Sequence, residues 1–177
     1  EGYPSYNVKW SQVGSTGVRI QMNQVTSHTS VAFFQLPVAL KFKNATQEKT
    51  VVVDNKFNGE VYTRNIGFIA DTVLVDPEYW LITRNNTTSK IPYTSSGQGS
   101  VDFPNPVTDT WNLYFHDFNE PSVAFSIYNA AGQLVYSREV ALFNGAELVD
   151  ISTRSWARGI YIIKIAGSTK IVKRVLK

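Results

Sequence analysis

Apolar and polar residues alternate along this chain with a period of two, and no stretch carries a helical repeat. Tyr6, Val8 and Trp10 alternate with Asn7, Lys9 and Ser11, the mark of a strand with one buried face. After the turn composition Gly14-Ser15-Thr16-Gly17, the run Val18-Arg19-Ile20-Gln21-Met22-Asn23 alternates strictly. Further strands are predicted at Val38–Lys43, Thr50–Asp54, Thr72–Val75 and Tyr79–Ile82. Another, Glu60–Thr63, follows the tight-turn pair Asn58-Gly59. Residues 1–84 therefore hold about seven short strands, which fits two packed sheets.

From Asn85 to Ser100 the pattern stops and Asn, Thr, Ser and Gly dominate, with Thr94-Ser95-Ser96-Gly97-Gln98-Gly99-Ser100 at the core of the stretch. Such a stretch has little to bury and reads as a flexible linker. Alternation then resumes. Pro104 and Pro106 fix φ and lack an N–H donor, so Phe103-Pro104-Asn105-Pro106 is a stiff lead-in. Trp111, Leu113 and Phe115 follow in phase. Phe125–Tyr128 should pair with Leu134–Tyr136 across Asn129-Ala130-Ala131-Gly132. Glu147–Ile151, Gly159–Ile165 and Lys170–Leu176 complete about seven strands, the last two joined across Ala166-Gly167-Ser168-Thr169. Ile160-Tyr161-Ile162-Ile163 is apolar on both faces, as a central strand would be. The expected fold is all-β: two tandem antiparallel, Ig-like β-sandwiches over residues 1–90 and 101–177, joined by a Ser/Gly/Thr-rich linker at 91–100.

Composition narrows the function. With 43% hydrophobic residues in 177, the chain can fill two small cores. Zero cysteines exclude disulfides and thiolate metal sites. The net charge of +3 is scattered, without the basic stripe that nucleic-acid binding needs. No apolar stretch approaches the ~20 residues of a membrane span. The chain opens Glu1-Gly2-Tyr3-Pro4 without an initiator Met, so residue 1 is expected to be a boundary within a longer protein.

Candidate chemistry is sparse. His28 lies in a Ser/Thr loop and His116 ends a strand beside Asp117, and neither has a second ligand at metal spacing. There is no Gly-x-Ser-x-Gly elbow, no phosphate loop and no paired carboxylates. No catalytic residue, cofactor or metal is expected. Tyr3, Tyr6, Trp10, Tyr79, Trp80 and Trp111 could stack on sugar rings, but sandwich cores also need large rings, and core is the expected role. Lys170, Lys173, Arg174 and Lys177 crowd the last strand. On charge alone this set reads equally as protection of a sheet edge or as an end captured by a receptor.

Four blocks of the second half resemble the C-terminal sorting domain of type IX secretion cargo. They are Phe103-Pro104-Asn105-Pro106-Val107, Ile127–Val135 around Gly132, Gly159-Ile160-Tyr161-Ile162, and Lys170-Ile171-Val172-Lys173-Arg174-Val175-Leu176-Lys177. The resemblance implies a sandwich that directs a folded cargo through the periplasm to the surface of a Gram-negative bacterium. Its partners would be the type IX translocon, a shuttle protein and a cell-surface sortase. It makes Pro104, Asn105, Pro106, Gly132, Gly159, Tyr161, Lys170, Val172, Lys173, Arg174 and Lys177 the sorting positions, and tips the terminal basic set toward recognition. Cleavage is expected between Pro92 and Phe103, in the run from Ser95 through Ser96, Gly97, Gln98 and Gly99 to Ser100. In the first half, Glu1–Tyr6, Trp10, Phe34-Gln35-Leu36-Pro37-Val38 and Val75-Asp76-Pro77 resemble the sandwich that follows the catalytic domain of gluzincin zinc aminopeptidases. That likeness implies an upstream catalytic domain, whose His-Glu-x-x-His motif this chain lacks. The rival expectations are a carbohydrate-binding or adhesive pair of sandwiches and a small independent hydrolase.

Overall fold

The computed structural model describes residues 1–166 and 171–177. It divides into two compact units, Glu1–Gln12 with Thr16–Tyr93, and Val13–Ser15 with Thr94–Lys177.

The first unit carries β1 (Pro4–Val13), β2 (Gly17–Thr26), β3 (Leu36–Lys43), β4 (Glu48–Asn55), β5 (Glu60–Asn65), β6 (Thr72–Val75) and β7 (Thr87–Lys90). They form one sheet in the order β5-β2-β1-β7 and another in the order β4-β3-β6. The alternation places Val18, Ile20 and Met22 inward with no exposed surface, while Arg19 faces water. Tyr6, Val8 and Trp10 from β1 meet Val38, Leu40 and Phe42 from β3 in the shared core. Trp10 and Phe42 touch edge to face at 5.5 Å, tying the two sheets together.

Two features depart from the sequence reading. Tyr79–Ile82 is a loop, not a strand. Asp76 and Tyr79 both take positive φ, and the buried Asp76 carboxylate accepts the Trp80 and Leu81 N–H groups at 3.0 and 2.9 Å. Amides engaged in this way cannot join a ladder. The seventh strand is instead the exposed, polar β7, which pairs parallel to β1 from Asn7↔Thr87 to Trp10↔Lys90. Local bonds hold it there: the Tyr6 N–H donates to Asn86 Oδ1 at 3.0 Å, and Asn7 Nδ2 donates to Thr87 Oγ1 at 2.8 Å. Lys90 lies over the Trp10 ring at 4.8 Å.

The second unit carries β8 (Ser100–Asp102), β9 (Thr110–His116), β10 (Ser122–Asn129), β11 (Leu134–Ala141), β12 (Glu147–Ser152), β13 (Ile160–Ala166) and β14 (Ile171–Leu176). The sheets run β11-β10-β13-β14 and β12-β9-β8, with every recorded pairing antiparallel. Trp111, Leu113 and Phe115 of β9 face Phe125, Ile127, Ile163 and Ile165 across the core. At the end of the sandwich near the Pro lead-in, Phe103, Trp111, Trp156 and Tyr161 form a chain of ring contacts at 5.4, 6.3 and 5.1 Å. β13 is central, as its composition predicts, although its outward residue Ile160 stays 42% exposed. The β10–β11 hairpin turns where expected: Gly132 adopts φ 78°, and Asn129 Oδ1 accepts the Ala131 and Gln133 N–H groups, both at 3.0 Å. The expected turn over Gly167, Ser168 and Thr169 lies outside the described residues, as does Lys170.

Candidate recognition and processing site

The last strand is held in one register. β14 pairs with β13 from Ile160↔Leu176 to Ile165↔Ile171. Gly159 and Lys177 exchange two backbone hydrogen bonds beyond it, at 3.0 and 2.9 Å. The far side of β14 is an edge, and the Pro lead-in closes part of it. The Leu176 N–H donates to Asn105 Oδ1 at 3.0 Å, and the Val107 N–H donates to the Leu176 carbonyl at 2.8 Å. The Asn105–Pro106 peptide is cis. Two expected sorting blocks separated by 71 residues are thus one structural feature.

The period-two rule sorts the basic residues of β14 into different jobs. Val175 points inward and is 1% exposed. Lys173 shares that face, but at the rim: its ammonium donates to the Val101 carbonyl, lies 3.7 Å from Asp102 Oδ1 and sits over the Phe103 ring. It therefore pins β14 to β8 on the opposite sheet. Lys177 Nζ donates to the Thr153 and Trp156 carbonyls. Of Lys173, Arg174 and Lys177, only Arg174 is fully turned to solvent, flanked by Val172 and Leu176, both more than half exposed. The basic residues expected on the last strand do not share one face where they are described: the outward surface is Val172, Arg174 and Leu176, beside Lys164, Ile162 and Ile160 of β13. Tyr161 is a core residue, its hydroxyl donating to the Ala157 carbonyl at 2.8 Å.

The Ser/Gly run ahead of the tail does not hang free. Ser100 opens β8, opposite His116. Ser95 Oγ donates to the Phe118 carbonyl at 3.1 Å, and the Gly97 N–H donates back to Ser95 Oγ at 3.2 Å. The Ser96 N–H donates to Asp117 Oδ1 at 3.0 Å, and the Gly99 N–H to the Asp117 carbonyl at 2.7 Å. Thr94, Ser96 and Gln98 remain exposed. A polar run can dock when a neighbouring corner offers acceptors, which composition does not reveal.

That corner is built on His116. Its Nδ1 lies 2.7 Å from Asp117 Oδ2 and its Nε2 lies 3.0 Å from Asp102 Oδ2. The ring stacks on Tyr114 at 4.6 Å. Asp117 was visible in sequence as a neighbour; Asp102 comes from the adjacent strand β8 and was not. The His28 ring bonds locally, to Ser30. Among the described residues no three His, Asp or Glu side chains form a group that could hold a metal ion.

The aromatic residues divide. Tyr6, Trp10 and Trp111 are core. Tyr79, Trp80 and Ile82, expected in a strand, are 91%, 85% and 84% exposed on the loop fixed by Asp76. Beside them is an open, mostly apolar hollow of about 380 Å³ lined by Pro37, Ala39, Val52, Pro77, Trp80 and Leu81.

Compared with known proteins, residues 102–177 match the family described as the secretion system C-terminal sorting domain. No curated protein matches the chain. Among solved structures, domains 3 and 4 of rat CD4 share 7% identity over 97% of this chain and 99% of theirs, with a TM-score of 0.32. The FN1–FN3 domains of chicken CNTN1 share 12% identity over 100% of this chain and 67% of theirs, also with a TM-score of 0.32. The tail of this chain is similar to type IX sorting domains, which implies a secreted cargo protein that engages the type IX secretion machinery and reaches the cell surface or extracellular space.

Proposed function

We propose that this chain is the non-catalytic C-terminal part of a secreted bacterial peptidase. Its second unit is the address read during passage across the outer membrane, by the translocon and a shuttle protein. A cell-surface sortase then cuts ahead of it, between Pro92 and Phe103, and attaches the cargo to the surface. The first unit belongs beside an upstream zinc aminopeptidase domain, a reading supported by the Gly-Tyr-Pro opening, the Pro37-Val38 strand start and the Val75-Asp76-Pro77 turn. The observation that carries the export reading is the family match over 102–177, together with the fixed register of β14. Deleting residues 170–177 from the full-length protein should leave cargo in the periplasm on fractionation. Normal surface delivery after that deletion would remove the reading. Peptidase parentage is tested separately, by zinc content and peptide turnover of the full-length protein.

A second reading is favoured by Tyr79 and Trp80: the first unit is an adhesive or carbohydrate-binding module. A glycan array with the wild-type chain and Trp80→Ala decides it. Affinity lost with Trp80 supports adhesion, and a blank array supports the peptidase-tail reading.

A further inference from the structure

The geometry points to residues 95–99 as a masked cleavage segment, which the His116–Asp117 corner keeps from being cut until the tail is pulled open. This rests on the reading that a peptidase separates the tail from its cargo, and it adds the control on that step. The step breaks one C–N amide bond. The acyl group passes to water or to an acceptor amine, and the nucleophile's proton goes to the leaving nitrogen, which stays with the tail.

A peptidase cleft holds its substrate as an extended strand, gripping backbone amides by strand addition. Here the amides of Ser96, Gly97 and Gly99 are already donating, to Asp117 Oδ1, Ser95 Oγ and the Asp117 carbonyl. The backbone is also the wrong shape: Gly97 and Gly99 sit at φ 76° and 52°, far from extended. Their lack of a side chain permits the close docking. A Cβ on Gly97 would lie 2.4 Å from Asn119 Nδ2, and one on Gly99 would lie 2.8 Å from Phe118 Cε1. Thr94, Ser96 and Gln98 still present side chains to solvent. The segment is in view but cannot be threaded.

Asp117 is the fastening point. One carboxylate oxygen takes the Ser96 amide and the other meets His116 Nδ1, while the imidazole is fixed by Asp102 and by stacking on Tyr114. His116 is a positioning residue. It holds Asp117 in place for the segment, and it also links Asp102 on β8, where Lys173 of the terminal strand lies 3.7 Å away. Engagement of β14 and release of the segment thus meet at Asp102.

The test is limited proteolysis of the 177-residue chain with subtilisin, with cut positions read by mass spectrometry. Asp117→Gly suits φ 63° and deletes the carboxylate; Asp117→Asn restores an acceptor. The wild type should be cut slowly at 94–100, Asp117→Gly about tenfold faster there and unchanged elsewhere, and Asp117→Asn near the wild type. Equal rates for the wild type and Asp117→Gly overturn the proposal. Should Asp117→Gly raise cutting everywhere, Ser95→Ala decides: selective acceleration at 94–100 supports masking, and no change overturns it. In the native host, a wild-type protein that keeps its tail through Lys177 overturns the processing reading, whatever subtilisin reports. A wild type that is processed, with Asp117→Gly processed at the same rate, overturns masking alone.

Discussion

Lys173 and Lys177 look alike in the sequence but act as fasteners, because a lysine at a sheet rim can bury its stem and give its ammonium to nearby carbonyls. Tyr6 carries a sharper consequence. Burial, with the nearby Asp76 charge adding to it, pushes its phenol from the usual 10.0 up to about 12. Tyr62 is also raised to about 12, mainly by desolvation and then by its bond to Glu60. Both folded values lie above the unfolded one, so the unfolded chain loses these protons first. The stability they supply is intact below about pH 10 and is lost as pH rises through about 12. Tyrosinate absorbance should show Tyr6 and Tyr62 titrating late, with part of that late signal removed in Tyr6→Phe. Denaturant midpoints for the first unit should fall over that window, and less steeply for Tyr6→Phe. Flat midpoints in the wild type would contradict this. At this scale the sequence marks Trp10 and Trp111 as core, because they sit in phase with apolar neighbours. It hides Asp76 and Asp102, whose roles depend on which chain segments come to lie beside them.

Among the elements, strict alternation was enough to locate β2 and β9, because each buries one face against an opposite sheet. It misplaced the strand at Tyr79–Ile82, where a buried carboxylate outcompetes a sheet for two amides. It also passed over β7, a polar edge strand with no buried face to leave a pattern. The Pro lead-in illustrates a tie between distant elements. Asn105→Ala removes the acceptor for the Leu176 N–H and should cost about 0.5–1.5 kcal/mol, read from urea unfolding of the second unit. Hydrogen exchange should quicken at Leu176 in that variant while the centre of β13 stays protected. Unchanged exchange at Leu176 would show that the lead-in does not hold the last strand.

For the molecule as a whole, the two-sandwich, all-β architecture was legible because each half carries its own set of alternating strands and turns. The docking of Ser95–Ser100 was not, since a Ser/Gly run reads as linker whether or not a corner such as Asp117 is there to receive it. The central claim is that export machinery reads a folded terminal strand rather than a linear peptide. Val175→Asp separates the two. It leaves every described basic residue of the tail in place but puts a carboxylate into a site 1% exposed, a buried unpaired charge that β14 cannot accommodate in its present register. The most direct measurement is cell fractionation of the full-length protein carrying Val175→Asp beside the outward control Ala124→Thr on β10, a position outside the sorting blocks. Cargo held in the periplasm by the first substitution and delivered normally with the second is the expected result. Normal surface delivery with Val175→Asp would contradict the account.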